Sequence, residues 1–297
     1  MNKTLVIGWL LAALGAAVQA DTLAKIKETG VATMGVRESS GVLSYVLADG
    51  KYVGFHVDVC QRVLADIQNR LGLARLDVQF MPVTSQNRST MLMNGRVDIE
   101  CGSTTNSAQR QKDVAFALTT YVEEVRVAVK VDAGIASLKQ LDGRNVSTTT
   151  GTTAVQAMRR YERAAGVDFK EVFGKDHADS FLLLQTGRAD AFVMDSQILA
   201  GNIAQAENPG AYRILGEVLA VEPIAIMLRK GDPAFKQAVD ESLRAMMKSG
   251  DLARLYDKWF LQPIPPSNKP LGLPVSEATR TAWIQPNDRP VEDYGRK

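Results

Sequence analysis

The chain of 297 residues is poor in the residues that most often bind metals. It has two cysteines, Cys60 and Cys101, and two histidines, His56 and His177, and none of them lies in a spacing typical of a metal site. It also lacks a G-x-x-x-x-G-K segment that would cradle a nucleotide phosphate. The sequence therefore predicts no metal and no other cofactor.

An excess of charge of one sign is lacking as well. The 35 Lys and Arg residues are nearly balanced by 33 Asp and Glu residues, which leaves a formal net charge of +2. A near-neutral balance provides no face-wide basic surface for phosphate contacts, so it argues against nucleic acid as a partner. Any strong positive potential has to be local.

A long apolar run occurs only at the start of the chain. Lys3 is followed by an apolar run over residues 5–18 and then by Val18-Gln19-Ala20, which is typical of a secretory signal peptide over residues 1–20. No cysteine follows the expected cleavage site to carry a lipid, and no later stretch is apolar enough to span a bilayer. The mature protein is expected to be soluble and exported.

The two cysteines are expected to form a disulfide, because an even pair in an exported protein indicates a bridge. Cys60 lies on the inward face of a predicted helix with Val63, Leu64 and Ile67, and Cys101 ends the strand expected beside that helix. Two buried free thiols are the alternative.

Predicted strands and helices alternate along the chain, which is typical of a parallel sheet. Strands are predicted over residues 31–36, 76–83, 97–101, 145–149 and 191–194, with helices between them, the first capped by Asp58. Segments 125–131 and 223–229 are interpreted as two crossing hinge strands. The sequence thus predicts an α/β fold with mixed or parallel sheets, in which lobe 1 comprises residues 21–128 and 223–262 and lobe 2 comprises residues 129–222.

The composition changes after Phe260. Seven of the chain's 11 prolines fall between Pro263 and Pro290. Proline cannot donate a hydrogen bond to a sheet ladder, so a further sheet lobe is excluded there. We expect residues 263–297 to form a surface extension with one short helix at about 276–283.

Segment 84–110, TSQNRSTMLMNGRVDIECGSTTNSAQR, is the best candidate for a binding site. A short strand is followed by Gly-Ser-Thr-Thr-Asn, which places Ser103, Thr105 and Arg110 at a strand's carboxyl end, where open α/β sheets bind ligands. Because the guanidinium of arginine matches a carboxylate with two parallel donors, the segment indicates a carboxylate site.

A turn motif in this segment recurs, as an imperfect repeat, later in the chain. Asn94-Gly95-Arg96-Val97-Asp98 returns as Thr186-Gly187-Arg188-Ala189-Asp190, and the fifth residue after the Asp is Ser103 in the first copy and Asp195 in the second. Two similar lobes would each present a strand end to a shared cleft. On the motif alone, a common helix-to-strand turn is the simpler interpretation.

Taken in order, several segments resemble type II periplasmic solute-binding proteins, specifically the glutamate/aspartate-binding components of amino-acid ABC transporters. The segments include Arg37-Glu38-Ser39-Ser40, Thr84-Ser85-Gln86-Asn87-Arg88, Gly151-Thr152-Thr153, Lys175-Asp176-His177 and Met194-Asp195. The resemblance covers nearly everything after Ala20. It implies a two-lobe periplasmic binding protein type II fold, a cleft that closes about a hinge, a monomer in the periplasm, and a membrane ABC permease complex as partner.

The resemblance also implies nine ligand-binding residues for glutamate or aspartate. Arg110 would bind the ligand's α-carboxylate with Thr105 and Thr153, while Ser103 and Asp195 would accept hydrogen bonds from its α-ammonium. The residues expected at the side-chain carboxylate are Arg37, Ser85, Arg88 and His177. Three arginines against Asp195 would leave a positive surplus suited to a dicarboxylic ligand.

Several alternatives remain open from the sequence. Arg37 and Arg88 could be surface arginines paired with carboxylates such as Glu38, Asp195 could be a helix cap, and His56 is expected to be an exposed connector. A rival function is a periplasmic enzyme resembling cyclohexadienyl dehydratase, with His177 or Glu100 as acid/base. An amino-acid-sensing module is a third possibility. No catalysis is expected, because the resemblance assigns every polar group of the cleft to ligand binding and none to an acid or base.

Overall fold

The structure, a computed structural model, describes residues 21–294 of the chain, and the predicted signal peptide lies outside these residues. The strands are β1 (Val31–Val36), β2 (Ser39–Ser40), β3 (Ser44–Val46), β4 (Tyr52–Val53), β5 (Asp77–Pro82), β6 (Ile99–Glu100), β7 (Val114–Lys130), β8 (Asn145–Thr149), β9 (Lys170–Gly174), β10 (Ala191–Asp195), β11 (Tyr212–Ile214) and β12 (Ala220–Arg229). The α-helices are α1 (Thr22–Thr29), α2 (Phe55–Leu71), α3 (Arg88–Met93), α4 (Thr153–Ala165), α5 (His177–Gln185), α6 (Ser196–Gln205), α7 (Pro233–Ser249), α8 (Asp251–Tyr256), α9 (Glu277–Ile284) and α10 (Val291–Tyr294).

Nine of these strands form one mixed sheet that runs through both lobes, which agrees with the predicted α/β class and joins the sheets expected for the lobes into one. Its order is β5-β1-β6-β12-β7-β10-β8-β9, with β11 added to β7, while β2, β3 and β4 form a separate small sheet. Strand β1 pairs in parallel with β5 and β6, and β8 pairs in parallel with β9 and β10. The carboxyl ends of these parallel strands face the region between the lobes, which is the position expected for a ligand site.

The two crossing strands are β7 and β12, which pair with each other in antiparallel fashion along most of their length. Strand β7 begins earlier than predicted, at Val114, so one continuous strand belongs to the sheet of lobe 1 and then pairs with β10 in lobe 2. Each lobe buries its own core. Phe55, Leu64 and Phe260 belong to the core of lobe 1, and Val127 and Phe192 belong to that of lobe 2. The residue bounds assigned to the lobes stay a prediction.

The repeated turn motif has the same structure in both lobes. Gly95 and Gly187 have positive φ angles of 69° and 73°, a conformation that glycine adopts without strain. The following Asp98 and Asp190 each accept a hydrogen bond from the backbone of the neighbouring strand, at Thr33 N and Asn145 N. The motif is therefore a helix-to-strand turn in both copies. In each copy the Asp side chain bonds that turn to the neighbouring strand of the sheet.

The predicted disulfide is confirmed: Cys60 and Cys101 are bonded, with their Cα atoms 6.4 Å apart. The bridge joins α2 to the end of β6. Within residues 21–294, none of the helices is both long and apolar enough to cross a membrane.

The start of α2 corrects two predictions. The helix begins at Phe55 with Gly54 as N-cap, so Asp58 lies inside the helix and does not cap it. Glycine is required before Phe55, because a Cβ on Gly54 would lie 2.5 Å from the carbonyl oxygen of Leu43. His56 is consequently buried in the first turn of the helix and is not an exposed connector.

Candidate functional site

Lobe 1 brings four predicted site residues to one edge of its sheet. Arg37 follows β1, Ser85 follows β5, Arg88 opens α3 and Ser103 follows β6, and these three strands are neighbours. Arg37 is 0% exposed and Arg88 only 2% exposed. The alternative that these two arginines lie on the surface is therefore wrong.

Lobe 2 contributes three residues from the corresponding ends of its strands. Thr153 is the first residue of α4 after β8, His177 is the first residue of α5 after β9, and Asp195 ends β10. Asp195 occupies the N-cap position of α6, but its side chain makes no capping hydrogen bond. Because the cap interaction is absent, the alternative role of Asp195 as a side-chain cap is wrong.

The two sets of residues meet across the region between the lobes. The hydroxyl oxygens of Thr105 and Thr153 are 3.1 Å apart. Arg110 Nη2 donates to the carbonyl oxygen of Gly151 at 3.1 Å, and its Nη1 donates to the carbonyl oxygen of Thr105 at 2.9 Å. The structure thus brings predicted residues from both lobes to one closed cleft.

Arg37 bridges the lobes with only part of its guanidinium. Its Nη2 donates to Ser85 Oγ at 3.0 Å and to Asp176 Oδ1, across the cleft, at 2.8 Å. Burial is the largest single effect and raises the pKa of the Asp176 carboxyl, but the charge of Arg37, together with the neighbouring His177 and its backbone N–H and the hydrogen bond from Arg37, lowers that pKa overall. Nε and Nη1 of Arg37 have no hydrogen-bond partner among the described residues, so this guanidinium can still donate to an acceptor in the cleft.

Arg88 is a buried cation that is short of acceptors. Its Nη1 has no hydrogen-bond partner within residues 21–294. Burial, followed by the charge of Arg110, lowers the pKa of Arg88, and the carboxylate of Glu100 opposes this shift. A buried charge is costly unless it is paired, so the surroundings of Arg88 favour an added anion.

His177 is held as a neutral ring by its neighbours. Its Nε2 lies 3.4 Å from Arg37 Nη2, and its Nδ1 lies 2.9 Å from Thr149 Oγ1. Since a guanidinium can only donate, Nε2 has to be the unprotonated nitrogen and Nδ1 carries the proton. Burial, followed by the charge of Arg37, lowers the pKa of His177 to about 3. The imidazole therefore orients Arg37 without adding charge.

The charge count made from the sequence is wrong, because it omitted buried carboxylates. Besides Asp195, the cleft and its hinge contain Asp176, Glu100, Glu123 and Glu222, and the three Glu residues are at most 1% exposed. The three arginines therefore face several acidic groups, and no simple positive surplus exists. The sequence signal that could have revealed Glu123 is the acidic pair Glu123-Glu124 inside a predominantly apolar strand, β7.

Glu222, on crossing strand β12, bonds to both lobes at once. Its Oε2 accepts from Thr105 Oγ1 at 2.7 Å and from Thr153 Oγ1 at 2.6 Å. A hydroxyl carries one proton, so both threonines direct that proton to Glu222 and present only lone pairs elsewhere. In this arrangement the two hydroxyls suit an ammonium group better than a carboxylate.

Glu123 and Asp195 form a second acidic region beside β7. Glu123 Oε1 accepts from Ser196 Oγ at 2.6 Å, while its Oε2 has no partner among the described residues. Burial raises the pKa of Glu123 to about 7. Burial, followed by the charges of Glu123 and Glu222, raises the pKa of Asp195. A cation placed beside Asp195 would relieve this repulsion. Among residues 21–294, no group of three or more His, Cys, Asp or Glu side chains is arranged to hold a metal ion.

Comparison with known sequences decides the family. Residues 32–262 match the bacterial extracellular solute-binding proteins, family 3. The chain belongs to this family. This solute-binding protein is 40% identical to the L-glutamate/L-aspartate-binding protein of Pseudomonas aeruginosa, with 95% of each chain covered. It is 38% identical to the glutamate/aspartate import solute-binding protein of Salmonella typhimurium, over 93% of this chain and 91% of the relative.

Solved structures agree with the two-lobe fold of this solute-binding protein. A crystal structure of a mutant of ArgBP from T. maritima matches it with a TM-score of 0.71 and 27% sequence identity. The match covers 81% of this chain and 99% of the other. The predicted fold class and family are thereby confirmed.

Proposed function

We propose that this protein binds glutamate and aspartate between its lobes and delivers them to the permease of an ABC importer. The observation that carries the proposal is the buried guanidinium of Arg88, whose Nη1 has no hydrogen-bond partner in the part of the chain that the structure describes. Arg37 adds two nitrogens nearby, Nε and Nη1, that have no hydrogen-bond partner among the described residues. The side-chain carboxylate of a bound glutamate or aspartate would supply the hydrogen-bond acceptors that these two arginines need.

The names of the relatives support the same ligand class. Both are named for glutamate and aspartate, and both align over more than nine-tenths of this chain. They are binding proteins, which favours a transport role over the dehydratase alternative and over the sensing module. Fold likeness alone would not separate these functions, since one fold can host several of them.

The proposed ligand pose follows from the charges in the cleft. The α-carboxylate would be bound by Arg110 and by backbone N–H groups of the Thr105 and Thr153 segments. The α-ammonium would be bound by Asp195, Ser103 and the lone pairs of the two threonine hydroxyls. The side-chain carboxylate would be bound by Arg37, Ser85 and Arg88, with neutral His177 holding Arg37 in place. This pose changes the part expected of the threonine hydroxyls from donors to acceptors.

Closure about β7 and β12 would couple binding to delivery. Groups from both lobes contribute to one site, so a ligand binds the closed arrangement better than an open one and shifts the population towards it. The permease would then recognise the closed lobes.

The proposal includes a cellular setting. Residues 1–20 would direct export and be removed, and the mature chain would act as a monomer in the periplasm, with residues 21–128 and 223–262 as lobe 1 and residues 129–222 as lobe 2.

Titration calorimetry with each of the twenty amino acids tests the function. Glutamate and aspartate should bind with micromolar or tighter affinity, about −8 kcal/mol or better, and glutamine and asparagine should bind more weakly. The bound ligand should be recovered unchanged. Binding of lysine or leucine as tightly as glutamate would overturn the assignment.

A further inference from the structure

The family match ends at residue 262, and part of the chain that follows bonds to the loop that contains Thr105 and Arg110. We propose that residues 285–294, the C-terminal strap, position the carboxylate loop, residues 103–112, for ligand binding. The strap would thus be a positioning element that follows the residues matched to the family in this chain. This inference rests on the proposed function, in which Thr105 and Arg110 of that loop contact the ligand.

Helix α9 anchors the strap to the lobe 1 end of crossing strand β7. Trp283 Nε1 donates to the carbonyl oxygen of Thr120 at 2.8 Å, and Val122 N donates to Thr279 Oγ1 at 3.0 Å. Thr279 is 0% exposed, and the ring of Trp283 packs edge-on against Tyr256. The chain therefore leaves α9 from a fixed point beside the hinge.

The strap then bonds directly to the carboxylate loop. Asn106 Nδ2 donates to the carbonyl oxygen of Asp288 at 2.8 Å, and Val291 N donates to the carbonyl oxygen of Asn106 at 2.8 Å. Glu292 Oε2 accepts from Ala108 N at 2.9 Å. Asn106 is buried, so its polar groups would be costly to leave without these partners.

The strap also bonds to β7 and to α7. Thr119 N donates to the carbonyl oxygen of Asn287 at 2.8 Å, and Tyr294 Oη lies 3.3 Å from Thr119 Oγ1. The Asp288 carboxylate lies 3.0 Å from Lys236 Nζ. Contacts of this kind hold the strap at a set distance from the hinge, independently of the carboxylate loop.

These contacts surround the residues that face the cleft. Asn106 and Ala108 lie between Thr105 and Arg110 in the chain, and Asn106 N donates to Pro223 O, next to Glu222, at 2.9 Å. The loop is thus held by the strap on one side and by β12 on the other. Binding sites need positional accuracy of about half an ångström, so loosening one side should weaken binding.

Deletion of residues 287–297 tests the strap while keeping α9. Because Thr105 and Arg110 would bind the α-carboxylate that all amino acids share, we expect about tenfold weaker binding of glutamate and of glutamine alike. A strap that only stabilises the fold would lower the melting temperature and leave both Kd values unchanged at 25 °C. That outcome would overturn the proposal.

A matched set of point variants localises the effect. Glu292→Ala removes the acceptor for Ala108 N and should weaken binding by about threefold to tenfold. In Glu292→Gln the side-chain carbonyl can still accept, so its Kd should be restored to that of the natural protein. Asp293→Ala removes an equal charge from an exposed neighbour and should have no effect.

Hydrogen exchange at the Ala108 amide, measured without ligand, separates this inference from the proposed function. Exchange should accelerate in Glu292→Ala and remain slow in Glu292→Gln. Unchanged exchange, or faster exchange with an unchanged Kd, would refute the strap's positioning role. If the natural protein bound no amino acid while exchange still depended on Glu292, the proposed function would fail and the strap's hold on the loop would stand.

Discussion

The two lobes differ in how firmly their parts are joined. Lobe 1 is cross-linked by the Cys60–Cys101 disulfide and contains an aromatic cluster in which Tyr256 and Phe260 stack at 4.0 Å. The core of lobe 2 contains no disulfide among the described residues, and its aromatic contacts are those of Phe181 with Phe192 and Tyr212 and the stacked pair Tyr161 and Phe169. The comparison indicates that lobe 1 is the more strongly cross-linked of the two lobes.

The lobes also differ in the charges that they bring to the cleft. All three site arginines, Arg37, Arg88 and Arg110, come from lobe 1, whereas Asp176 and Asp195 come from lobe 2. Glu100 is an acidic exception in lobe 1, and Glu123 and Glu222 lie on the crossing strands β7 and β12. A ligand that carries both carboxylate and ammonium groups can therefore bond to both lobes, which makes an amino acid a suitable link for closure.

The largest expected effect concerns the arginines of lobe 1. Arg88→Met should cost about 2–5 kcal/mol in glutamate binding and less in glutamine binding, because it removes a buried partner of the side-chain carboxylate. Arg110→Ala is the comparison variant and should abolish binding of both ligands. Calorimetry with both ligands measures the difference. Equal losses for glutamate and glutamine in Arg88→Met would contradict the division of roles.

The disulfide should account for the next largest effect. Replacing Cys60 and Cys101 by alanine opens a crosslink between residues 41 positions apart and should lower the free energy of unfolding by about 2–4 kcal/mol. Urea unfolding of the double variant measures this loss. Alkylation of protein purified without reductant, followed by mass spectrometry, should detect no free thiol, and two labelled thiols would show that the bridge does not form.

The buried acid on β7 should make stability depend on pH. Burial raises the pKa of Glu123 from 4.5 to about 7, so the folded protein retains this proton to higher pH than the unfolded chain. The resulting stabilisation is complete below pH 4.5 and is lost as pH rises through 7, by up to about 3 kcal/mol. Unfolding free energies of Glu123→Gln should lack this part of the decline. Glu124→Gln, at a half-buried neighbour that pairs with Arg126, should retain it.

The smallest predicted effect concerns contact between the lobes. A Cβ on Gly201, in α6 of lobe 2, would lie 3.2 Å from the Cα of Gly41 in lobe 1. Gly201→Ala should stabilise the helix by up to about 1 kcal/mol while weakening glutamate binding by a similar amount, because the lobes meet less closely. Thermal unfolding without ligand and calorimetry measure the two effects. Unchanged affinity would show that closure does not depend on this contact.

Local pattern was enough to predict most elements of this fold. The predicted strand over residues 145–149 coincides with β8, the predicted crossing over 125–131 overlaps β7 except for its last residue, and that over 223–229 lies within β12. Alternating polarity, turn glycines and helix signals are local properties, so they can be read without knowing which segments meet. The predicted cap at Asp58 and the predicted exposure of His56 are wrong because the start of α2 depends on a close approach of Gly54 to Leu43.

The sequence by itself determined the family, the alternation of strands and helices, and the arginines and hydroxyls that follow the strand ends. Only the tertiary structure decided the electrostatic balance of the site. Glu222 bonds to Thr105 and Thr153, which are far from it in the sequence, and Asp176 bonds to Arg37 across the cleft. Charges and pKa values depend on burial and on distances between segments. A linear sequence specifies neither until the lobes and the C-terminal strap have packed together.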